Sequence, residues 1–447
     1  MKYEKWSLGY WFVKQYVRFV DWIILNRTIV LNRNKIPENK PILFTPNHQN
    51  ALSDPMAVLL NTKFQPVWLA RADIFKNKII IAILRFFKIM PVYRIRDGKE
   101  NLDKNEETFS NSVKVLKANK ALALFPEGAH TGKRQMIAHK KAAARIVLMA
   151  EEMSQEKLDI QIIPTGIYYS SYWKFNHNVI VNFGDPIPAN QFMEEYKINP
   201  NAAALSIRDK IHDGLRPLVI DIQSKDHYND FENITDIYGK HFLKRQNKKY
   251  SVVNLFKSNQ KLATKLDELE AQSPDKIDKL IRAVNSYIML LKKHKLRNWL
   301  IDEPGHNFLK IGLNKLVLLA GLPVFVFGFL FNAIPFFIID GIVRKKIKDY
   351  AFWSSFFLVL GMVFFPVFYI IELLAISPLL PGIWLKLIFF ISLPFAGKLA
   401  FRWYILFLKT LGRVRLFLLK VFNTKRYLKI INAKKDLFGD LNAVISV

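Results

Sequence analysis

Apolar residues follow different patterns along this chain, and the first pattern predicts an amphipathic helix near the start. Residues 5–25 are rich in aromatic side chains, and their charges at Lys14, Arg18 and Asp21 share one helical face. We expect residues 1–37 to form a membrane-anchoring segment whose aromatic side lies at the level of lipid headgroups. A helix packed on the protein's own core is the alternative.

From residue 38 the pattern changes to short apolar runs that alternate with helical stretches. The runs cover residues 41–45, 67–70, 121–125, 161–164 and 178–183. Strands separated by helices predict an α/β domain over residues 38–225, with a mixed, largely parallel sheet flanked by helices. In such sheets ligands bind at the loops that follow the strands.

Residues 226–305 are charged and have helical periodicity, which predicts a soluble helical region. Its clearest helix begins at Ser273-Pro274 and carries an apolar stripe that we expect to pack on the α/β domain.

Three long apolar runs predict a membrane region over residues 306–409. They cover residues 316–339, 351–376 and 379–400, and the first contains no charge. If all three crossed the membrane, the basic residues 344–348 and the basic tail 410–447 would lie outside the cytoplasm, against the positive-inside tendency. We therefore expect the first run to enter and return on one side. The other two runs then form a hairpin, and the tail is cytoplasmic. Three crossings remain the alternative.

The composition fits a protein on an anionic membrane. Of the 447 residues 51% are hydrophobic, yet the formal net charge is +29. Basic residues near a membrane attract anionic phospholipids. A nucleic-acid binder would also be basic, but it would not need the long apolar runs, so we expect no nucleic-acid partner. The chain has no cysteine, which excludes disulfides and cysteine-based zinc sites.

Candidate chemistry begins with the sequence Asn47-His48-Gln49-Asn50-Ala51-Leu52-Ser53-Asp54-Pro55, which follows an apolar run. A histidine oriented by an aspartate can take a proton from a hydroxyl. The two residues are six apart, so a regular helix would not pair them, and a loop leading into a helix is predicted. Asp54-Pro55 is also typical of an N-cap followed by proline at N1, which gives Asp54 a structural alternative.

Two further blocks carry polar groups after apolar runs. Arg94 and Arg96 project to the same face of an extended strand and could bind a phosphate, although a solvated strand face is the alternative. Phe125-Pro126-Glu127-Gly128 offers a carboxylate that could fix a loop or bind a substrate hydroxyl, beside a glycine that permits positive φ.

The first and last of these blocks resemble the glycerolipid acyltransferase family, whose members esterify glycerol-phosphate backbones from an acyl thioester. The resemblance covers roughly residues 38–190. It implies His48 and Asp54 as the catalytic pair. It also implies substrate binding by residues of the two other blocks, and an acyl site lined by a later apolar block. The implied substrate-binding residues are Arg94, Arg96, Glu127 and Gly128. The implied acyl-site residues are Ile163, Pro164 and Thr165, for which an ordinary buried strand ending in a turn is the alternative.

Two departures from the common family pattern refine the prediction. Five residues separate His48 from Asp54 instead of four, which resembles the branch of fungal-type glycerol-3-phosphate or dihydroxyacetone-phosphate acyltransferases. His130 stands where the family usually has a phosphate-facing arginine, and Lys133 or Arg134 could supply that charge.

The sequence therefore predicts a membrane-bound acyltransferase with its catalytic domain facing the cytoplasm. Acyl-CoA or acyl-carrier protein would be the donor, and glycerol-3-phosphate or 1-acylglycerol-3-phosphate the acceptor. No cofactor and no metal are expected, since no histidines show HExxH spacing. The alternatives are O-acylation of another lyso-lipid, such as a lysophospholipid or lyso-aminolipid, and a non-catalytic lipid-binding scaffold.

Overall fold

The computed structural model describes residues 2–93, 104–154, 157–172, 174–303 and 308–445. The chain divides into two compact units. One, here called the sheet unit, comprises Met1–Ile220 and Lys346–Leu358; the other, the helical unit, comprises Asp221–Lys345 and Val359–Val447. A short segment between two of the long apolar runs thus belongs to the sheet unit.

The sheet unit is built on one mixed sheet in which most neighbouring strands are parallel. Its order is β1-β7-β6-β2-β5-β3-β4, with β8 paired to β6, and only the β6–β7 and β6–β8 pairs are antiparallel. The central strands are apolar and buried, as expected for a sheet covered on both faces. The strands are β1 (Arg27–Leu31), β2 (Ile42–Pro46), β3 (Val67–Arg71), β4 (Ile89–Val92), β5 (Ala121–Ala123), β6 (Gln161–Tyr169), β7 (Asn178–Phe183) and β8 (Ile187–Pro188).

Helices and loops cover the sheet, and two hydrophobic clusters of buried side chains form its core. The predicted fold class, a largely parallel sheet flanked by helices, is confirmed. The helices of this unit are α1 (Leu8–Ile24), α2 (Ser53–Leu60), α3 (Lys78–Phe86), α4 (Lys104–Lys117), α5 (Ala142–Glu152), α6 (Met193–Ile198) and α7 (Pro200–Leu215).

The first strand lies within residues 1–37, which the sequence analysis assigns to the membrane-anchoring segment. β1 pairs in parallel with β7 from Arg27 to Leu31, so the sheet begins before residue 38. Within residues 1–37, α1 then remains the candidate for the predicted membrane attachment. The pairing was not predicted because a short edge strand flanked by polar residues has no strong apolar pattern.

Helix α1 buries Lys14 and Tyr10 against the protein and directs most of its aromatic side chains outward. Lys14 is buried, and its ammonium donates to the carbonyl oxygens of Thr62 at 2.8 Å and Phe64 at 2.9 Å. Arg18 donates to the carbonyl of Leu60 at 2.9 Å. The exposed side chains of this segment include Trp6, Trp11, Phe12, Tyr16, Phe19 and Trp22.

The helical unit consists of a soluble part and three long apolar helices. Its helices are α8 (Tyr228–Arg245), α9 (Val252–Gln272), α10 (Pro274–Lys293), α11 (Asn298–Asp302), α12 (Phe308–Lys346), α13 (Trp353–Ile376), α14 (Ile383–Phe422) and α15 (Thr424–Val444). Helix α10 begins where predicted, but its apolar stripe packs against α8, α9 and α15 of its own unit. The expectation that it packs on the α/β domain is therefore corrected.

Three helices of the described chain are long and apolar enough to cross a membrane. The first is one continuous helix of 39 residues that runs through Pro323 and Pro335. A continuous helix does not turn back, so the expected return of residues 316–339 is corrected. Prolines are tolerated within long apolar helices where neighbouring groups satisfy the freed carbonyls.

A polar side chain joins the three apolar helices. Asn332 of α12 donates to the carbonyl of Leu393 in α14 at 3.3 Å, and the hydroxyl of Tyr369 in α13 donates to Asn332 at 2.7 Å. Gly328 lies so close to α14 that an added Cβ would stand 2.3 Å from the carbonyl oxygen of Ala396. Small residues and interhelical hydrogen bonds are the usual means of packing helices in membranes.

Candidate active site

The structure brings His48 and Asp54 together in the loop that follows β2. The Nδ1 atom of His48 lies 2.8 Å from Oδ2 of Asp54. The same carboxylate oxygen accepts the backbone N–H groups of Gln49 and Asn50, each at 2.7 Å. Asp54 is fully buried, so these contacts supply the partners that a buried carboxylate requires. Residues 47–54 are called the His–Asp loop below.

The predicted capping role of Asp54 is wrong. Helix α2 begins at Ser53, and its N-cap position is Leu52, so Asp54 lies inside the first turn. Its carboxylate points back to the loop, where it binds the imidazole and two N–H groups that precede it. A single carboxylate oxygen therefore fixes both the loop and the ring.

Aromatic stacking holds the imidazole of His48 in place, and a second carboxylate binds the backbone of this residue. Its ring is stacked on Phe125 with centroids 3.8 Å apart, and Phe125 stacks on Trp68. The backbone N–H of His48 donates to Oε1 of Glu127 at 3.3 Å. Among the described residues Nε2 of His48 has no hydrogen-bond partner, so this nitrogen can accept a proton from a substrate hydroxyl.

Side chains from several elements fix the rest of the His–Asp loop. Asn47 extends the pairing of β2 with β6, because its side-chain amide accepts from Ile167 N at 2.7 Å and donates to Ile167 O at 3.1 Å. The hydroxyl of Tyr172 donates to the Gln49 side chain at 2.7 Å. Gly132 N donates to the carbonyl of Gln49 at 3.1 Å. The loop is thus pre-organised, as catalysis by a positioned base requires.

Tyr169 lies near Asp54 in the interior of the protein. Burial and, to a smaller extent, the nearby Asp54 carboxylate raise the pKa of Tyr169 well above its ordinary value. The phenol therefore stays protonated near neutral pH.

The Phe-Pro-Glu-Gly block forms a tight turn beside the imidazole. Gly128 has a φ of 69°, and its N–H donates to the carbonyl of Phe125 at 3.1 Å. This positive φ explains the glycine. Glu127 is buried and directs its carboxylate to the His–Asp loop, which corresponds to the predicted loop-fixing alternative.

His130 lies close to the imidazole of His48. Its ring centroid is 5.4 Å from that of His48 and 4.5 Å from that of Phe352. Its Nε2 lies 4.0 Å from a carboxylate oxygen of Asp349. Burial and the neighbouring His48 lower the pKa of His130, which favours the neutral ring. His130 thus places a neutral imidazole ring where the resembled family usually has an arginine.

The predicted phosphate-binding cations are found in different environments. Lys133 is exposed, whereas Arg134 is buried, with its guanidinium 5.3 Å from the ring centroid of Tyr168 and a donor 3.4 Å from the Tyr169 carbonyl. Arg94 and Arg96 lie outside the described residues, so phosphate binding by them stays a prediction.

The predicted acyl-site residues Ile163, Pro164 and Thr165 lie in the middle of β6 and are buried in the sheet. They do not line the cavity of about 60 Å³ that borders Tyr169 and Tyr172. That cavity is lined mainly by residues of α1, α2 and the loop before β7, together with Ser354, Phe357 and Leu358.

The segment 346–358 is a part of this site that sequence reasoning missed. It contacts His130 through Phe352 and Asp349, and it contacts the His–Asp loop through Ser354 and Ser355. The only signal in the sequence is a pair of serines at the start of an apolar run. Within the described ranges, no group of three or more metal-ligating side chains is found.

The comparison with known proteins agrees with this geometry. Residues 27–168 match the family model described as Acyltransferase. The chain carries an acyltransferase-family domain. The match begins at β1 and ends in β6, so the domain contains both His48 and Glu127 but not residues 346–358.

Two similar proteins come from Saccharomyces cerevisiae. They are Glycerol-3-phosphate O-acyltransferase 1, 24% identical over 279 residues, and Glycerol-3-phosphate O-acyltransferase 2, 25% identical over 198 residues. The alignments cover 57% and 42% of this chain but 35% and 25% of the yeast proteins, so this chain spans about a third or less of their length. A crystal structure of the 1-acyl-sn-glycerophosphate acyltransferase PlsC from Thermotoga maritima is similar with 16% identity and a TM-score of 0.33, covering 46% of this chain and 78% of that chain.

Proposed function

We propose that this protein transfers a fatty acyl group from an acyl thioester to the hydroxyl of a glycerol-phosphate acceptor. One observation carries the proposal: His48 is bonded through Nδ1 to a buried aspartate, and its Nε2 has no partner among the described residues, within a domain of the acyltransferase family. This arrangement fits a general base that deprotonates an alcohol.

The proposed reaction needs no covalent enzyme intermediate. His48 Nε2 takes the hydroxyl proton while Asp54 stabilises the imidazolium, and the acceptor oxygen attacks the thioester carbonyl. The carbon–sulfur bond then breaks, and the thiolate takes the proton from His48. No cysteine is present to carry an acyl group, and neither cofactor nor metal is required for these steps.

Glycerol-3-phosphate is the acceptor that we favour. The names of the two yeast relatives support it, and so does the five-residue spacing of the His–Asp loop. A second candidate is another lyso-lipid as acceptor. It is favoured by the neutral, half-buried His130, which offers no fixed positive charge to a phosphate.

We further propose that α1 lies in the bilayer interface and that the sheet unit faces the cytoplasm. The outward aromatic face of α1 supports this placement. Helix α3 continues the apolar surface, because Phe86 packs against Gly9 while Ile79 and Ile83 are exposed. The net charge of +29 would attract anionic phospholipids as well as an acidic donor, acyl-CoA or acyl-carrier protein.

The substrate assignment is tested by thiol release from acyl-CoA with the full chain in lipid nanodiscs. Glycerol-3-phosphate, 1-acylglycerol-3-phosphate, a lysophospholipid and a lyso-aminolipid are supplied in parallel, and products are identified by mass spectrometry. We expect 1-acylglycerol-3-phosphate to form from glycerol-3-phosphate. Turnover with only a non-phosphomonoester lyso-lipid would overturn the favoured acceptor and support the second candidate.

The orientation is tested by single cysteines, since the chain has none of its own. Lys346 belongs to the sheet unit, so a cytoplasmic sheet unit requires that the continuous helix α12 does not cross the bilayer and that α13 and α14 form the crossing pair. Lys346→Cys is therefore expected to resist an impermeant thiol reagent in intact cells. Ser377→Cys, in the turn between α13 and α14, serves as the control that is expected to react. Labelling at position 346 would contradict the cytoplasmic placement of this segment.

A further inference from the structure

We propose that Ser354 and Ser355, at the start of the second apolar helix, are positioning residues that hold the His–Asp loop in its reactive geometry. The proposal rests on the proposed acyltransferase function. It adds to the active site two residues that lie about 300 positions along the chain from His48 and Asp54. Both residues are outside the region that matches the family model.

The contact consists of direct hydrogen bonds between the two serines and residues of the His–Asp loop. Leu52 N donates to the Ser355 hydroxyl at 2.9 Å. The Ser53 hydroxyl donates to that of Ser354 at 3.2 Å, and the Ser354 hydroxyl donates to the Asn50 side-chain oxygen at 2.6 Å. Asn50, Leu52 and Ser53 are thus bonded to two neighbouring serines.

Asn50 transmits this contact to the catalytic pair. Its side chain accepts the Ser354 hydroxyl, while its backbone N–H donates to the same Asp54 oxygen that binds His48. A displacement of Asn50 would therefore remove one of the three hydrogen bonds that hold this oxygen. Because Asp54 sets the orientation of the imidazole, the displacement would also move Nε2 away from its substrate.

The loop needs such support because its backbone is strained. Ala51 has a φ of 40°, in the left-handed region that non-glycine residues seldom adopt. The next N–H along the chain belongs to Leu52 and is the one bonded to Ser355. Strain of this kind persists only where the surroundings fix the conformation.

The segment that carries the two serines packs against other parts of the sheet unit. Asp349 accepts the N–H of Ala351 at 2.9 Å and so begins the turn before α13. Phe352 packs edge-on against His130, and Phe357 packs edge-on against Phe175 with centroids 5.3 Å apart. Ser355 is buried. The loop geometry and the start of this helix are therefore parts of one packed structure.

The decisive experiment compares the double variant Ser354→Ala/Ser355→Ala with wild type in nanodiscs. We expect kcat to fall about ten- to a hundredfold at an unchanged KM for acyl-CoA, because the base is misplaced and donor binding is not. The conservative Ser354→Thr variant, which keeps the hydroxyl, is expected to retain activity. Ser392→Ala removes a hydroxyl that bonds to Phe389 O within α14 and serves as the matched control.

Hydrogen exchange of the peptide that contains residues 47–54 gives a readout independent of turnover. We expect its exchange to accelerate at least tenfold in the double alanine variant and to stay at the wild-type rate in Ser392→Ala. Unchanged exchange would overturn the proposal, and so would unchanged kcat in an active enzyme. Accelerated exchange in a protein that acylates none of the acceptors would refute the proposed function while supporting the structural coupling.

Discussion

Two buried ionisable side chains in the sheet unit are stabilised in different ways, and the difference separates the proposed reactive site from a structural one. Asp54 is bonded to two backbone N–H groups and to His48, whose second nitrogen has no partner in the described chain. Lys14 is bonded to two carbonyl oxygens, which belong to the backbone of Thr62 and Phe64. The first arrangement connects the buried charge to a group that can exchange a proton, whereas the second only holds a helix.

The comparison also explains the unusual surface of α1. In α10 the apolar stripe is buried and the charges face outward, as in an ordinary amphipathic helix. In α1 Lys14 is buried and Arg18 bonds to the protein backbone, whereas the aromatic residues other than Tyr10 face outward. The carbonyl oxygens that bind Lys14 make this inversion possible, because a buried ammonium needs acceptors. An exposed aromatic face suits a membrane surface better than water.

The largest effect is expected from Asp54→Asn, which removes the carboxylate that binds the imidazole of His48. Asparagine fills the same space but does not stabilise an imidazolium. We expect kcat to fall by about a thousandfold or more, with acyl-CoA binding retained. Steady-state rates and equilibrium binding of the donor check this. A loss smaller than tenfold would contradict the role given to Asp54.

The second prediction removes the structural charge through Lys14→Met. Two buried carbonyl oxygens then lose their donor, which we expect to lower the free energy of unfolding by about 3 kcal/mol. The thermal midpoint in detergent would fall, while kcat of the folded fraction would change less than threefold. The exposed Lys76→Met is the matched control. Equal midpoints for the two variants would show that Lys14 does not hold α1.

His139 extends the comparison to a buried group that is neutral. Its ring is buried beside that of His212, and neither of its nitrogens has a hydrogen-bond partner among the described residues. Burial, and then the charge of His212, lower its pKa to about 4. Between this value and the ordinary pKa of about 6.5, the unfolded chain binds a proton that the folded chain does not.

Stability should therefore fall as the pH is lowered through this range. Between pH 7.5 and pH 5 the contribution of His139 amounts to about 2 kcal/mol of lost stability. His139→Leu is expected to reduce the drop in thermal midpoint over this interval. The same drop in both proteins would mean that His139 does not carry the effect.

The smallest effect concerns the surroundings of the exposed aromatic side chains of α1, which a spin label can report. A spin label on Phe12→Cys is expected to be reached by oxygen dissolved in the bilayer and protected from a water-soluble relaxation agent. The same label at Lys261→Cys, exposed on α9, should show the opposite pattern. Matching patterns at the two positions would exclude an interfacial position for α1.

Local patterns predicted much of this structure, because they depend on residues near one another in sequence. The apolar runs located β2, β3, β5, β6 and β7, and the His–Asp motif indicated a loop rather than a helix. Helical periodicity identified the two faces of α1, but it cannot say which face meets the protein. That choice depends on the carbonyl groups of Thr62 and Phe64, which no pattern in α1 reveals.

Contacts between distant segments could not be predicted in the same way. The serines at 354 and 355 stand in an apolar run that is typical of a membrane helix, and nothing nearby marks them as partners of Asn50 and Leu52. Asp54 before proline resembled a cap, but the backbone turn at Ala51 brings other N–H groups to its carboxylate. Both features depend on how the folded chain brings separate residues together.

The central claim is that His48 is the base of an acyl transfer, and one pair of rates tests it most directly. Thiol release from acyl-CoA in the presence of glycerol-3-phosphate is measured for wild type and His48→Ala in identical nanodiscs, with donor binding measured on both. We expect His48→Ala to bind acyl-CoA normally but to turn over at least about a hundredfold more slowly. A variant that turns over within tenfold of wild type would contradict it.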